Sequence, residues 1–386
     1  MMSMMVCGLK GRQLSSKTKN LQTKDISFSK KEYINLLAAA EKLGFKSIKD
    51  YLLFLGQGEN LKQNKKEKIS SPRLKTTFKT DLGKIVCGDS LKWMSKPENQ
   101  KSVNLIITSP PFGLISKKSY GNESSQDYCD WFRQFAEAFK KVLADDGSLV
   151  IDIQGVWLKG TPTRSLYHFK LLQMLCEEYG FYLCQEHYWW NPSKLPSPAA
   201  WVTVKRVRVK DAVNCIWWLS KTPNPKANNK NILSSYSSSM QNVLSNGFYS
   251  KGKRPSGHKL SKSHFNINHG GSIPPNLIVA SNASSNGAYF DYCKKNEFKI
   301  HPARFPYAIP DYFIRFLTDQ KDLVLDPFAG SSITGFVAEN NNRKWITIEK
   351  NIDYALGGKG YFVSKIPFKP KINEYKISSP FNHNKK

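Results

Sequence analysis

Acidic residues are scarce in this chain. Its 386 residues carry 30 Asp and Glu against 58 Lys and Arg, a formal net charge of +28. An excess of that size does not suit an enzyme of small neutral metabolites. It points to a polyanionic partner, of which nucleic acid is the commonest. Cysteine is also sparse. Cys7, Cys87, Cys129, Cys176, Cys184, Cys215 and Cys293 are scattered, and no two form a CxxC pair. This argues against a zinc site or a disulfide framework and for reduced intracellular thiols. No run of about 18 apolar residues is present, so no transmembrane helix is expected. The start, "MMSMMVCGLKGRQ", turns polar too soon for a secretory signal, and a cytoplasmic protein is expected.

What is present divides the chain by texture. Residues 1–80 are lysine-rich and read as a basic extension. They enclose a small helical module, "KKEYINLLAAAEKLGFKSIKDYLLFLGQ", similar to ribbon-helix-helix modules that dimerise and bind DNA. A helical hairpin packed on the main domain explains the same pattern. From residue 81, strands and amphipathic helices alternate: "KIVCGDS", "VNLIITS", "DYCDWFRQFAEAFKKVLADDG", "SLVIDI", then "YLCQEHYWWN" and "AVNCIWWLSKT" as paired late strands. The alternation predicts an open, mostly parallel α/β sheet. Residues 223–300 break the rhythm with Ser, Asn, Gly and Pro and read as an insert. Residues 301–365 restore it, and 366–386 form a basic tail.

Two stretches carry chemistry. In "VNLIITSPPF" a strand buried on both faces stops at Ser109-Pro110-Pro111-Phe112, because proline cannot donate to a sheet ladder. In "LVLDPFAGSSITGFVAE" an apolar strand runs into Asp326. A tight turn through Phe328, Gly330 and Ser331 follows, then a helix that starts near Ser332 and includes Thr334. Glu349, at the end of "WITIE", is placed to accept from two ribose hydroxyls. The turn is not GxGxxG, and an acid sits directly on it. A pyrophosphate would be repelled there and a sulfonium amino acid would not, so S-adenosylmethionine is favoured over a dinucleotide.

"TSPPF" and "DPFAGSS" together resemble the catalytic and cofactor motifs of the DNA amino-methyltransferases. The catalytic motif comes first, the permuted order of the β group, and serine at position 109 resembles the cytosine-N4 subset. "KKSYGN", "NPSKLPSP", "RVKDAVN", "RPSGH", "GGSIPPN" and "HPARFP" extend that likeness over residues 84–365. The resemblance implies a Rossmann-like S-adenosylmethionine-dependent fold with a mixed seven-stranded sheet, circularly permuted, with 223–300 as target-recognition insert. It also implies methyl transfer, without a metal, to the N4 amino group of a cytosine flipped out of duplex DNA. A restriction endonuclease acting on the same site is the further partner implied, and monomer and dimer both stay open.

Under that reading Ser109 Oγ and the Pro110 carbonyl accept from the target amino group, Pro111 stiffens the corner, and Phe112 stacks on the base. Trp190, Tyr188 and Lys194 line the base pocket. Asp326, Phe328, Gly330, Ser331, Thr334 and Glu349 hold the cofactor, with Asp89 at its adenine and His301 and Arg304 at its carboxylate. Lys117, Lys118, Lys251, Lys253, Arg254, His258 and Lys259 are expected on DNA. The strands "LVLD", "WITIE", "KIVCGD" and "VNLIITS" are expected side by side in that order. None of the seven cysteines follows a proline, which sets aside a cytosine-C5 enzyme. An adenine-N6 enzyme, and a non-catalytic DNA-binding protein with the same fold, remain as alternatives.

Overall fold

A computed structural model describes residues 73–114, 123–246, 267–282, 287–304 and 306–364, together with Asn35, Leu37 and Ala38. The chain divides into two compact units, residues 1–70 and 71–386. Within the first, Asn35, Leu37 and Ala38 are helical. The rest of the expected N-terminal module and the 366–386 tail lie outside the described residues.

The second unit is built on a mixed sheet of nine strands, two more than expected. In chain order they are β1 Lys75–Lys79, β2 Gly83–Cys87, β3 Val103–Thr108, β4 Leu143–Ile153, β5 Tyr182–Trp190, β6 Val213–Ser220, β7 Leu277–Val279, β8 Leu323–Asp326 and β9 Lys344–Glu349. Their spatial order is β1-β2-β9-β8-β3-β4-β6-β5-β7. Strands β2, β9, β8, β3 and β4 run parallel, and β6 is antiparallel to both β4 and β5.

The helices are α1 Ser90–Met94, α2 Tyr128–Val142, α3 Tyr167–Gln173, α4 Ser238–Asn246, α5 Gly287–Lys295, α6 Ala308–Leu317, α7 Ile333–Asn340, α8 Ile352–Gly357 and α9 Gly360–Val363. Strand alternation divides the core between the two faces. Leu105 and Ile107 of β3 join Ile216 and Trp218 of β6 beneath α5, α6 and α7. Ile106, Trp217 and Leu219 point the other way, onto α1, α2 and α3. Helix α2 meets that face with Phe132, Phe135, Ala136 and Phe139, a 3.6-residue stripe. Glu137 and Lys141 pair at 2.6 Å on its wet side.

The strand order corrects the expected one. β8, carrying "LVLD", is not at the end of the run. It lies between β9 and β3, so the strand that ends at the proline corner sits directly beside the strand that enters the glycine turn. From the carboxyl end of β8 the chain crosses to β9, and from that of its neighbour β3 it crosses the other way to β4, which makes the gap between them the crevice where open α/β sheets bind ligands.

The segment boundaries also shift. Residues 75–79, assigned to the basic extension, form edge strand β1, antiparallel to β2. Its two lysines face outward while Phe78 packs on Phe362, ring centroids 4.8 Å apart. At the other break, residues 223–300 are largely part of the main body. Lys226 pairs with Asp322 at 2.9 Å, Ile232 is in the core, β7 extends the sheet beside β5, and Tyr289 and Cys293 of α5 are buried. The described root of the insert is a reciprocal backbone pair between Ser234 and Ser272, at 2.8 and 2.9 Å.

Candidate active site

The carboxyl ends of β3, β8, β9 and β4 bring the two sequence motifs into contact. Thr108, the last residue of β3, donates its hydroxyl to Asp326 Oδ1 at 2.7 Å. Thr334 of α7 donates to Asp326 Oδ2 at 2.7 Å, and the Phe328 N–H to Oδ1 at 3.2 Å. Asp326 is 2% exposed, and burial pushes its carboxyl up to about 6 against the three donors. Both of its oxygens carry donors from within the protein, which leaves about one acceptor position. Asp326 ties the end of β3 to the turn.

The turn that follows is tight. Gly330 has φ 52°, and a Cβ there would lie 3.1 to 3.2 Å from the His301 ring. Glycine alone meets both conditions without cost. The Gly330 N–H donates to Glu349 Oε2 and the Asn351 N–H to Oε1, each at 2.8 Å. Burial raises the Glu349 carboxyl to about 7, with Asp326 adding to the rise. A carboxylate has about four acceptor positions, and the Lys350 N–H also bonds to this one, so Glu349 keeps capacity for a further donor.

Ser331 and Thr334 are buried inside this turn. Ser331 Oγ accepts from the Tyr361 hydroxyl at 3.3 Å, and Thr334 is committed to Asp326. Their hydroxyls serve the turn's own structure. Phe328 packs on Phe135 and Trp131, centroids 4.7 and 5.8 Å away. Asp89 caps α1, accepting from the Leu91 N–H at 3.0 Å, and the preceding Gly88 N–H bonds to the Glu349 carbonyl at 2.9 Å. That places Asp89 next to Glu349 at the sheet edge. His301 is held edge-on to Tyr354, and burial lowers its imidazole to about 4, so it is neutral near pH 7. Arg304, with its guanidinium 4.4 Å above the Phe290 ring, is the cation of that pair.

On the catalytic side a residue appears that sequence reasoning missed. Ser109 donates its hydroxyl to Asp152 Oδ2 at 3.1 Å, and Asn214 Nδ2 donates to Oδ1 at 2.9 Å. Asp152 is the penultimate residue of the buried strand "SLVIDI" and is 3% exposed. Burial raises its carboxyl to about 6, opposed by Asn214, Ser109 and the nearby Lys194 ammonium. An acid closing a buried strand was the signal that drew attention to Asp326, and it applied equally here. A hydroxyl has one proton and two lone pairs. With its proton directed to Asp152, Ser109 presents only acceptor capacity to anything else in the site.

The corner itself is rigid. Pro110 is buried, Phe112 and Pro111 are half-buried, and the Leu114 N–H closes back on the Phe112 carbonyl at 2.7 Å. A Cβ on Gly113 would come within 3.3 Å of the Tyr128 and Tyr167 rings, so the chain lies flat on them. Of the aromatic triplet, Trp189 is core. It is 7% exposed and its indole N–H donates to the Ala280 carbonyl at 2.8 Å. Tyr188 and Trp190 lie on the opposite face, exposed and half-buried respectively. Lys117, Lys118, Lys251, Lys253, Arg254, His258 and Lys259 lie outside the described residues.

A family model described as DNA methylase, of the N6/N4 type, matches residues 103–358. This chain belongs to that family. The methylase is 45% identical over 310 residues to the type II methyltransferase M.PvuII of Proteus hauseri, covering 80% of this chain and 90% of that protein. It is 24% identical over 277 residues to the type II methyltransferase M.BglII of Bacillus subtilis, covering 72% and 68%. Among solved structures it matches the PvuII DNA methyltransferase, described as cytosine-N4-specific. There the TM-score is 0.61 at 41% identity, with 75% of this chain and 90% of that one covered.

Proposed function

We propose that the methylase transfers a methyl group from S-adenosylmethionine to the exocyclic N4 of a cytosine extruded from duplex DNA. The observation that carries the reading is the Ser109–Asp152 hydrogen bond at the carboxyl end of the strand bordering the glycine turn. The similarity to a cytosine-N4-specific enzyme supports the choice of base.

The residues at the turn fit S-adenosylmethionine. Gly330 lets the ligand approach the backbone, Glu349 has acceptor capacity left for the ribose, and Arg304 supplies a cation for a carboxylate. Two acids flank the turn, Asp326 and Glu349, which suits a cationic amino acid better than a pyrophosphate. Bound there, S-adenosylmethionine supplies a methyl group on a sulfonium sulfur. Asp326 orients the turn and α7.

The exocyclic amine of cytosine is a weak nucleophile because its lone pair is delocalised into the ring. Acceptors aimed at its two N–H groups favour charge build-up on nitrogen as it is methylated. Ser109 Oγ and the Pro110 carbonyl are those acceptors. The amine must also shed one proton. Ser109 Oγ takes it while passing its own proton to Asp152 Oδ2, so Asp152 is the acceptor of record and must start ionised. Phe112, Tyr188 and Trp190 hold the base, and Lys194 keeps Asp152 from rising further. The relatives' description as type II methyltransferases supports a role opposite a cognate restriction endonuclease, on DNA in the cytoplasm.

Tritiated methyl transfer to duplex DNA tests the reading. Ser109→Ala should lose nearly all turnover and keep cofactor affinity by calorimetry. Loss of cofactor affinity in that variant, or no incorporation by the parent, would overturn it.

A further inference from the structure

The cations expected to grip DNA were placed in the recognition insert and near the catalytic corner. The described structure carries another set. The segment 191–212 joins β5 to β6. Strand β5 is antiparallel to β6, which is antiparallel to β4. The segment therefore leaves and re-enters the sheet at the same edge as Ser109 and Asp152. It holds Lys194, Lys205, Arg206, Arg208 and Lys210 and a single acid, Asp211.

That one acid is already taken. Asp211 Oδ2 accepts from Arg164 at 2.6 Å and from the Trp157 indole N–H at 2.7 Å. Both donors belong to a turn closed by a Trp157–Arg164 bridge, and Arg208 Nε donates to the Pro162 carbonyl of the same turn at 3.1 Å. Lys210 Nζ bonds the Lys194 carbonyl at 3.1 Å. The segment is thus clamped from both ends, while its outer surface stays uncompensated. Val207 and Val209 are 50% and 86% exposed between exposed cations.

Arg206 stands out within it. The π-helical turn at 200–204 ends with the Lys205 N–H bonded to the Ala200 carbonyl at 3.0 Å and the Val207 N–H to the Trp201 carbonyl at 2.9 Å. Between them the chain passes through the left-handed region, where glycine is preferred. Arg206 occupies it at φ 55°. The local fold would be better served by glycine, by about 1 kcal/mol. Lys205 stacks on Trp201 at 4.5 Å, whereas Arg206 has no hydrogen-bond or ion-pair partner among the described residues. A strained, exposed, unpartnered arginine on this segment indicates a use outside the chain's own folding.

We infer that Lys205 and Arg206, on the clamped 191–212 segment, bind phosphates of duplex DNA flanking the extruded base. The inference rests on the proposed methyl transfer to DNA. It adds a docking surface on the catalytic half, separate from the insert. Positive charge in excess of the one local acid, on a segment rooted at the end of the sheet that carries Ser109, suits the phosphate backbone. Exposed valines between the cations suit the sugar faces of the same strand.

Arg206→Gly separates folding from binding. It relieves the left-handed backbone, so its melting temperature should equal or exceed the parent's. Its KM for duplex DNA should rise about fivefold at 0.15 M salt, and the slope of log affinity against log salt should flatten by about 1. Adding Lys205→Ala should raise KM about thirtyfold and flatten the slope by about 2, while Arg206→Lys should retain the parent slope. An unchanged slope in the double variant, with the parent methylating DNA normally, overturns this inference and leaves the function standing. A parent that neither binds nor methylates duplex DNA overturns both. Loss of a dimer by sedimentation, with the salt slope kept, would assign the face to a second copy of the chain and also overturn it.

Discussion

Replacing Asp152 by asparagine isolates the proton acceptor from the rest of the site. The two side chains have the same shape, and the amide oxygen can still accept from Ser109 at the observed 3.1 Å once the Asn214 amide turns its oxygen to the new NH2. The capacity to take a proton near neutral pH is lost. General-base contributions of about 10²–10⁴ put the loss in kcat at about 3 to 5 kcal/mol of barrier. The pH dependence has a definite sign. The acceptor works only when ionised, and its carboxyl lies at about 6, so the parent's rate should fall as pH drops through that value. Stability runs the other way. Burial favours the protonated form, so ionising Asp152 costs about 3 kcal/mol of folding free energy as pH rises from the ordinary aspartate range through about 6. Asp152→Asn removes that charge and should melt no lower than the parent at pH 8, which separates lost activity from lost fold. Single-turnover methyl transfer between pH 5 and 8 is the assay. A variant within threefold of the parent, or one that keeps the acid limb, would refute the assignment.

Three further outcomes follow from the geometry. Gly330→Ala places a Cβ 3.1 Å from the His301 ring at φ 52°, so cofactor affinity by calorimetry should fall at least tenfold; unchanged affinity would mean that the turn does not hold the cofactor. Glu349 must be ionised to accept fully from the ribose and its carboxyl lies at about 7, so cofactor affinity should drop about tenfold between pH 8 and pH 6, and Glu349→Gln should flatten that dependence. Trp189→Ala empties a core position and should cost about 3 to 5 kcal/mol in denaturant unfolding. Trp190→Ala should instead raise the KM for DNA with little change in the unfolding midpoint; the reverse pattern would exchange their roles.

The parts legible in the sequence were those written in consecutive residues. The proline corner, the glycine turn and the acid after the next strand each announce themselves locally, and the sheet brings them together through Thr108 and Asp326. Asp152 carried a local signal, but its partners did not: they depend on β4 lying between β3 and an antiparallel β6 that delivers Asn214, a pairing across more than sixty residues. Strand order was misjudged for a related reason. Residue pattern identifies a buried strand but not which two neighbours cover its edges, and β8 takes one on each side. β1 read as a solvated arm because an edge strand can keep lysines on the wet face while burying one phenylalanine. The partners of Ser331 and Thr334, Tyr361 and Asp326, were not legible because a hydroxyl in a turn does not announce which side chain it meets.

The central claim is that a serine-centred acceptor pair, backed by a buried carboxyl, methylates the amino group of cytosine. Its most direct test is the chemical identity of the product. Duplex DNA methylated by the purified protein, digested to nucleosides and resolved by mass spectrometry, should yield N4-methyldeoxycytidine. N6-methyldeoxyadenosine in its place, or unmodified nucleosides alone, would contradict the account.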